Sequence, residues 1–181
     1  ALSTNQAPDF FGGVDLEKGV QNDYIAPIED LPGGDELIKK YDGRLTEGWH
    51  TYNGKTYRLP VSVTTMGLIY NKDMFKQYGL EEPKTLADLE NICATLKENG
   101  ITPFALANAS KWTGSMYFMS LAARYGGLEP FQNAVAGSGK FTDDCFIKAG
   151  EKIQEWVKNG YFPDGVNSLS EDDGQAKQLL Y

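Results

Sequence analysis

One histidine and two cysteines are the only imidazole and thiol groups in this chain of 181 residues. Cys93 and Cys145 lie far apart, with no CxxC pair and no histidine near either, so metal-site and redox-motif readings fail and no cofactor or metal is expected. The two thiols read as buried and free, or as one disulfide, and they leave the cellular compartment open. No run approaches the roughly 18 consecutive apolar residues that span a bilayer. The first residues lack the basic start and apolar stretch of a secretory signal, so any export signal is expected to lie outside this sequence. Positive charge is short as well: 17 Lys and Arg against 25 Asp and Glu give a net charge of -8. That balance works against nucleic acid or an anionic membrane surface as a partner.

With 41% hydrophobic and 12% aromatic residues, the chain can bury a core without staples or metals. Residues 1–7 are polar and run into Pro8, Asp9, Phe10, Phe11, Gly12 and Gly13, which reads as a strand delivering a glycine turn. A weakly helical pattern over 14–31 is interrupted by Pro32, Gly33 and Gly34 before a second helical stretch at 35–41. Asn53 and Gly54 sit between 49–52 and 55–59, where Asn-Gly suits the positive φ of a tight hairpin turn. Residues 61–70 form a long extended run rich in β-branched side chains, long enough to pass from one body of the protein to another.

The clearest helix covers 85–99. Thr85 and Asp88 resemble a capping box, Gly100 closes the C-terminus, and Leu86, Leu89, Ile92, Cys93 and Leu96 form its apolar stripe. Residues 102–107 read as a short buried strand, 108–111 as a polar loop and 114–125 as a helix, an alternation that implies a parallel βαβ unit. Another helix is expected over 143–159, with Phe146, Ala149, Ile153, Trp156 and Val157 on one side and Gly160 at its end. A last helix starts near Ser170, with Glu171, Asp172 and Asp173 in its first turn, where the helix dipole favours acids.

Catalytic material is thin. His50 stands alone in the hairpin, without the nucleophile and base that covalent catalysis needs, and reads as a surface or half-buried residue. Gly137, Ser138, Gly139 and Lys140 resemble a phosphate loop superficially, but Ala134 replaces the first glycine and Phe141 the magnesium-holding hydroxyl, so the stretch reads as a plain loop. The pairs Asp143/Asp144 and Asp172/Asp173 offer carboxylates for glycosidase chemistry, yet helix N-terminal capping already accounts for both.

The loop from Asn108 to Trp112 is better placed, because open α/β sheets bind ligands beyond the carboxyl ends of their strands. An indole stacks on the C–H face of a sugar ring, and Asn108, Ser110 and Lys111 supply donors and acceptors for hydroxyls. The competing reading is that Trp112 merely seeds the following helix.

Several segments together resemble the family 1 extracellular solute-binding proteins, the maltose-binding-protein-like components of ABC sugar importers. They are Ala7, Pro8, Asp9 and Phe10; residues 53–60 (NGKTYRLP); and above all residues 67–75 (GLIYNKDMF), followed by Gly79, Leu80, Pro83, Lys84 and Thr85. The resemblance implies an α/β, two-lobed, type II periplasmic-binding-protein-like fold, with only part of each lobe present. Residues 1–63 would belong to the first lobe and 64–181 to the second, with a hinge strand at about 61–66. It implies non-catalytic capture of a mono- or oligosaccharide in a cleft between the lobes, delivery to an ABC importer permease, and a place in the periplasm or at the cell surface, through a lipid anchor carried by a missing N-terminus. Trp112 matches the aromatic contact of relatives, with Lys111, Ser110 and Asn108 beside it. Thr64, with Thr65 beside it, stands where the maltose-binding relative has a sugar-contacting carboxylate, so that contact is changed or gone. In the first lobe the loop after Asp9 is shorter than the maltose version, leaving Phe11, Gly12 and Gly13. Two other readings stand beside this one: a carbohydrate-active enzyme or carbohydrate-binding module, and a binding protein for a non-sugar solute.

Overall fold

The computed structural model describes residues 8–41, 43, 50–62 and 64–180, and the chain divides into two compact units, Ala1–Gly67 and Leu68–Tyr181. The expected features at 1–7 and at Trp49 lie outside the described residues.

In the first unit, helix α1 (Leu16–Gln21) starts where the Asp15 carboxylate accepts the Lys18 N–H at 3.0 Å. A 3-10 turn (Ile28–Asp30) and helix α2 (Gly34–Ile38) follow; Pro27 divides the helical pattern of 14–31, and the second stretch, expected over 35–41, is helical only to Ile38. The hairpin forms as expected, with β1 (Thr51–Tyr52) antiparallel to β2 (Lys55–Thr56) and Thr51 opposite Thr56. Asn53 and Gly54 take φ of 49° and 78°, as a two-residue turn requires. The hairpin is pinned to the 3-10 turn by the Thr56 N–H, which donates to the Glu29 carboxylate at 2.8 Å, and by a half-exposed Lys55–Asp30 ion pair at 3.0 Å. Thr56 is one of the few buried polar residues.

The second unit is helical. Helix α3 (Lys72–Gln77) begins at Asn71, whose side-chain oxygen accepts the N–H groups of Asp73 and Met74 at 3.0 and 3.1 Å. Helix α4 (Leu86–Glu98) carries the expected capping box: Thr85 Oγ1 accepts the Asp88 N–H at 3.1 Å, and Asp88 accepts the Thr85 N–H at 2.9 Å. At the other end Gly100 takes φ of 77° and the Ile101 N–H returns to the Leu96 carbonyl at 3.0 Å. Helices α5 (Trp112–Gly126), α6 (Glu129–Val135), α7 (Asp144–Lys158) and α8 (Gln175–Gln178) complete the unit.

The core lies between α4, α5, α7 and the segment 101–107. Cys93, Phe104, Leu121, Ala122, Phe146, Ala149 and Trp156 are all buried in it. Phe104 sits in an aromatic nest, its ring 5.1 Å from Trp156, 5.2 Å from Phe162 and 5.5 Å from Tyr117. The apolar stripe of α4 falls where its periodicity places it, with Ile92, Cys93 and Leu96 buried and Leu86 and Leu89 packed against the core.

Several expectations fail. Among the described residues the only ladder is the β1–β2 hairpin; 102–107 and residues 61, 62 and 64–70 have no strand pairing, so no parallel βαβ unit forms there. Phe104 instead donates a single backbone hydrogen bond to the Tyr161 carbonyl at 2.9 Å. Val157 is 58% exposed, because one step past buried Trp156 turns its side chain about 100° around the helix, off the core face. The last helix starts at Gln175 rather than near Ser170; residues 171–174 are turns, and Gly174 at φ of 69° interrupts them. Asp143 is the N-cap residue of α7 but makes no side-chain capping bond.

Both cysteines are free and buried, which removes the disulfide alternative. Burial pushes the Cys93 thiol up to about 12, with the Glu90 carboxylate adding to it. Native protein at pH 8 is therefore expected to leave Cys93 unlabelled by a thiol reagent that modifies the urea-unfolded chain to completion. Mass spectrometry reads this directly, and equal labelling of the two states would contradict the burial.

Helices α4 and α7 are joined by a partly buried polar clamp. Lys152 binds Glu90 at 2.7 Å and Glu155 at 2.8 Å, and the Trp156 indole N–H donates to Glu90 at 3.0 Å. Burial works to raise the Glu90 pKa, but the hydrogen bonds from Lys152 and Trp156 outweigh it and the net shift is downward. Lys152 is shifted upward, first by its hydrogen bond to Glu155 and then by that to Glu90. A carboxylate shifted down stabilises the fold above its unfolded pKa, and an amine shifted up does so below its own. The clamp thus contributes fully between about pH 4.5 and 10.5. Glu90→Gln is expected to lower stability by about 1 kcal/mol at pH 7 and by progressively less as pH falls through the Glu90 titration. Urea unfolding at pH 7 and pH 3 measures the difference, and an equal loss at both would show that the charge contributes nothing.

Candidate functional site

Ala107 is 1% exposed and ends the segment that Phe104 anchors; the chain then leaves the core through Asn108 to Trp112 and enters α5. Asn108 is half-buried, whereas Ser110, Lys111 and Trp112 are exposed, the indole at 49%. The loop is held at both ends. Thr113, buried at the first turn of α5, donates its hydroxyl to the Ala107 carbonyl at 2.6 Å, and the Asn108 side-chain oxygen accepts the Gly114 N–H at 2.8 Å. Asn108 thereby caps α5 from outside the helix, although the residue immediately before the helix is Lys111. Lys111 has φ of 69° and ψ of -32°, backbone space that a side chain makes unfavourable, so neighbouring contacts must hold it there.

A second loop, residues 163–170, flanks the first. Its Val166 and Leu169 carbonyls accept the N–H groups of Asn108 and Ala109 at 2.8 and 3.0 Å, and its Asn167 accepts the Asn108 side-chain N–H at 2.7 Å. Sequence reasoning missed this wall, because 59 residues separate Asn167 from Asn108 and no local pattern links them.

Phe11, Gly12, Gly13, Thr64 and Thr65 belong to the first unit, where all are exposed. His50 is half-buried at the start of the hairpin, and its carbonyl accepts the Tyr57 N–H at 2.9 Å. The stretch 137–140 closes α6 as a turn, with the N–H groups of Ser138 and Gly139 both returning to the Asn133 carbonyl. Among the described residues no three potential metal ligands cluster, and no helix is long and apolar enough to cross a membrane.

The second unit also holds an apolar groove of about 100 Å³, lined by Leu68, Ile69, Met74, Phe75, Leu96 and Phe104 among others. It is smaller than the few hundred Å³ of a typical small-molecule site, and none of residues 108–112 lines it. The platform around Trp112 is thus an open surface with one aromatic face and several hydroxyl, amide and amine groups, the chemistry that suits an uncharged polyhydroxylated solute.

The chain is similar to several known proteins. An uncharacterised ABC transporter extracellular-binding protein of Pyrococcus horikoshii is 29% identical over 163 residues, covering 87% of this chain and 36% of the relative. A melibiose/raffinose/stachyose-binding protein of Bacillus subtilis is 27% identical over 184 residues, covering 99% of this chain and 42% of the relative. The solved structure of a chitin oligosaccharide binding protein superposes with a TM-score of 0.80 at 25% identity, over 99% of this chain and 45% of that one. This chain therefore spans less than half the length of each of these proteins, and it has part of the α/β type II periplasmic-binding-protein fold. The sequence profile of the bacterial extracellular solute-binding proteins matches residues 2–181, and the chain belongs to that family.

Proposed function

We propose that the protein acts outside the cytoplasmic membrane as the substrate-binding component of an ABC importer, holding a mono- or oligosaccharide at residues 108–112 and passing it unchanged to a permease. The observation that carries this reading is the half-exposed Trp112 indole at the first position of α5, flanked by exposed Ser110 and Lys111 on a loop tied down from both sides. Trp112 supplies the stacking face. Ser110 and Lys111 offer hydrogen bonds to ring hydroxyls, and such bonds discriminate among sugars because each one left unmade costs about 1–3 kcal/mol. Family membership and the oligosaccharide-binding relatives support the same reading.

The test is a thermal-unfolding screen of the protein, expressed from its whole reading frame, against neutral mono- and oligosaccharides, polyols, peptides and phosphate esters. A ligand at 100 times its dissociation constant adds roughly 2.7 kcal/mol to stability. Stabilisation by a saccharide that is recovered chemically intact supports the proposal. Stabilisation only by a peptide or a phosphate ester would overturn the ligand class, and turnover of an oligosaccharide would overturn the non-catalytic role.

A further inference from the structure

The Asn108 carboxamide is engaged at both ends. Its oxygen accepts the Gly114 N–H at 2.8 Å, while its nitrogen donates to Asn167 Oδ1 at 2.7 Å. A carboxamide is a flat, rigid group, so bonds to both its oxygen and its nitrogen fix its plane. It also fills its space closely: a Cβ on Gly114 would meet Asn108 Oδ1 at 2.6 Å, so that position has no room for a side chain while the carboxamide stays put. One side chain therefore joins the 108–112 loop, the first turn of α5 and the 163–170 loop.

Between Asn108 and Trp112 stands Lys111, whose N–H donates to the Asn108 carbonyl at 3.1 Å and whose backbone is held at positive φ. Such a conformation persists only when its surroundings over-determine it. The two backbone bonds from Val166 and Leu169 fix the start of the loop, but they act at Asn108 and Ala109 and leave the carboxamide free to turn. The Gly114 N–H on its oxygen and the Asn167 acceptor on its nitrogen together set its direction.

Resting on the proposed role of Trp112, we infer that Asn167 is a positioning residue for the sugar platform: by accepting the Asn108 N–H it orients the carboxamide that fixes the first turn of α5, and through that turn it sets where the indole stands. Asn167 acts as an acceptor, through Asn108, and its own amide nitrogen is not used on the ligand. The chemistry separates two substitutions. Asn167→Asp keeps the acceptor and discards the donor, whereas Asn167→Leu keeps the bulk and discards both.

Two readouts test this, hydrogen exchange at the Gly114 amide and calorimetric titration with stachyose and with a chitin tetrasaccharide as probes. One hydrogen bond of ordinary strength corresponds to a factor of about 3–10. Asn167→Leu is expected to speed Gly114 exchange and to weaken probe binding by about that factor, with the unliganded unfolding midpoint lowered by no more than one such bond, while Asn167→Asp stays within about twofold of the native protein on both readouts. Unchanged Gly114 exchange in Asn167→Leu would overturn the inference, and so would a loss in Asn167→Asp as large as in Asn167→Leu. If neither probe binds the native protein while Gly114 exchange still follows the acceptor, stachyose and the chitin tetrasaccharide are not ligands and the positioning of the loop by Asn167 stands.

Discussion

Phe104→Ala is expected to destabilise the second unit by about 3–5 kcal/mol, the range found when a buried phenylalanine is cut back to a methyl group. Phe104 is 6% exposed and touches rings from three directions, Tyr117 on α5, Trp156 on α7 and Phe162 after it. Helix partners fixed by their own hydrogen bonds cannot collapse fully into the space, so the lost transfer energy is joined by a cavity term. The consequence reaches the site, because Phe104 anchors the segment whose last buried residue, Ala107, accepts the Thr113 hydroxyl at 2.6 Å. Urea unfolding should show a lower midpoint with an unchanged slope, and Val157→Ala serves as the control, since a 58% exposed side chain on the same helix system should change stability by less than about 0.5 kcal/mol. Comparable losses in the two variants would mean that the aromatic nest does not hold the unit together.

The contrast between Phe104 and Val157 also marks how far the sequence could be read. Local chemistry was legible wherever one short stretch contained its own reason. Thr85 with Asp88 closes a capping box within four residues, and Asn53-Gly54 makes its turn whatever surrounds it. Helix α3 carries a signal of the same kind, Asn71 capping Asp73 and Met74, and α6 has Pro130 in its first turn, although neither helix was expected from the periodicity. The strand reading of 102–107 failed for another reason. A strand exists only with a partner, and the residue that bonds Phe104, Tyr161, lies in irregular chain just after α7 and not in a neighbouring strand. For the site, the sequence marked the platform residues 108–112 but not the loop that supports them, since the bond from Asn108 to Asn167 spans 59 positions and leaves no periodicity behind.

Trp112→Ala is expected to weaken saccharide binding at least tenfold, which corresponds to about 1.4 kcal/mol or more. Two roles compete for this residue, stacking against a ligand and seeding α5, and the geometry makes them separable. Helix α5 is already started by Asn108 and Thr113, which hold its first turn through bonds that do not involve the indole. Trp112 is half-exposed and belongs neither to the core cluster nor to the residues packed against it, so its removal should lower the unfolding midpoint far less than that of Phe104. Loss of a stacking face, in contrast, acts only on the complex. Calorimetry and thermal unfolding of the same preparation therefore give opposite answers for the two roles: lost affinity with retained stability assigns Trp112 to the ligand, whereas retained affinity with lost stability assigns it to the helix and removes it from the platform. Trp112→Phe provides the graded case, because a smaller ring keeps a stacking face and should recover part of the affinity that alanine loses.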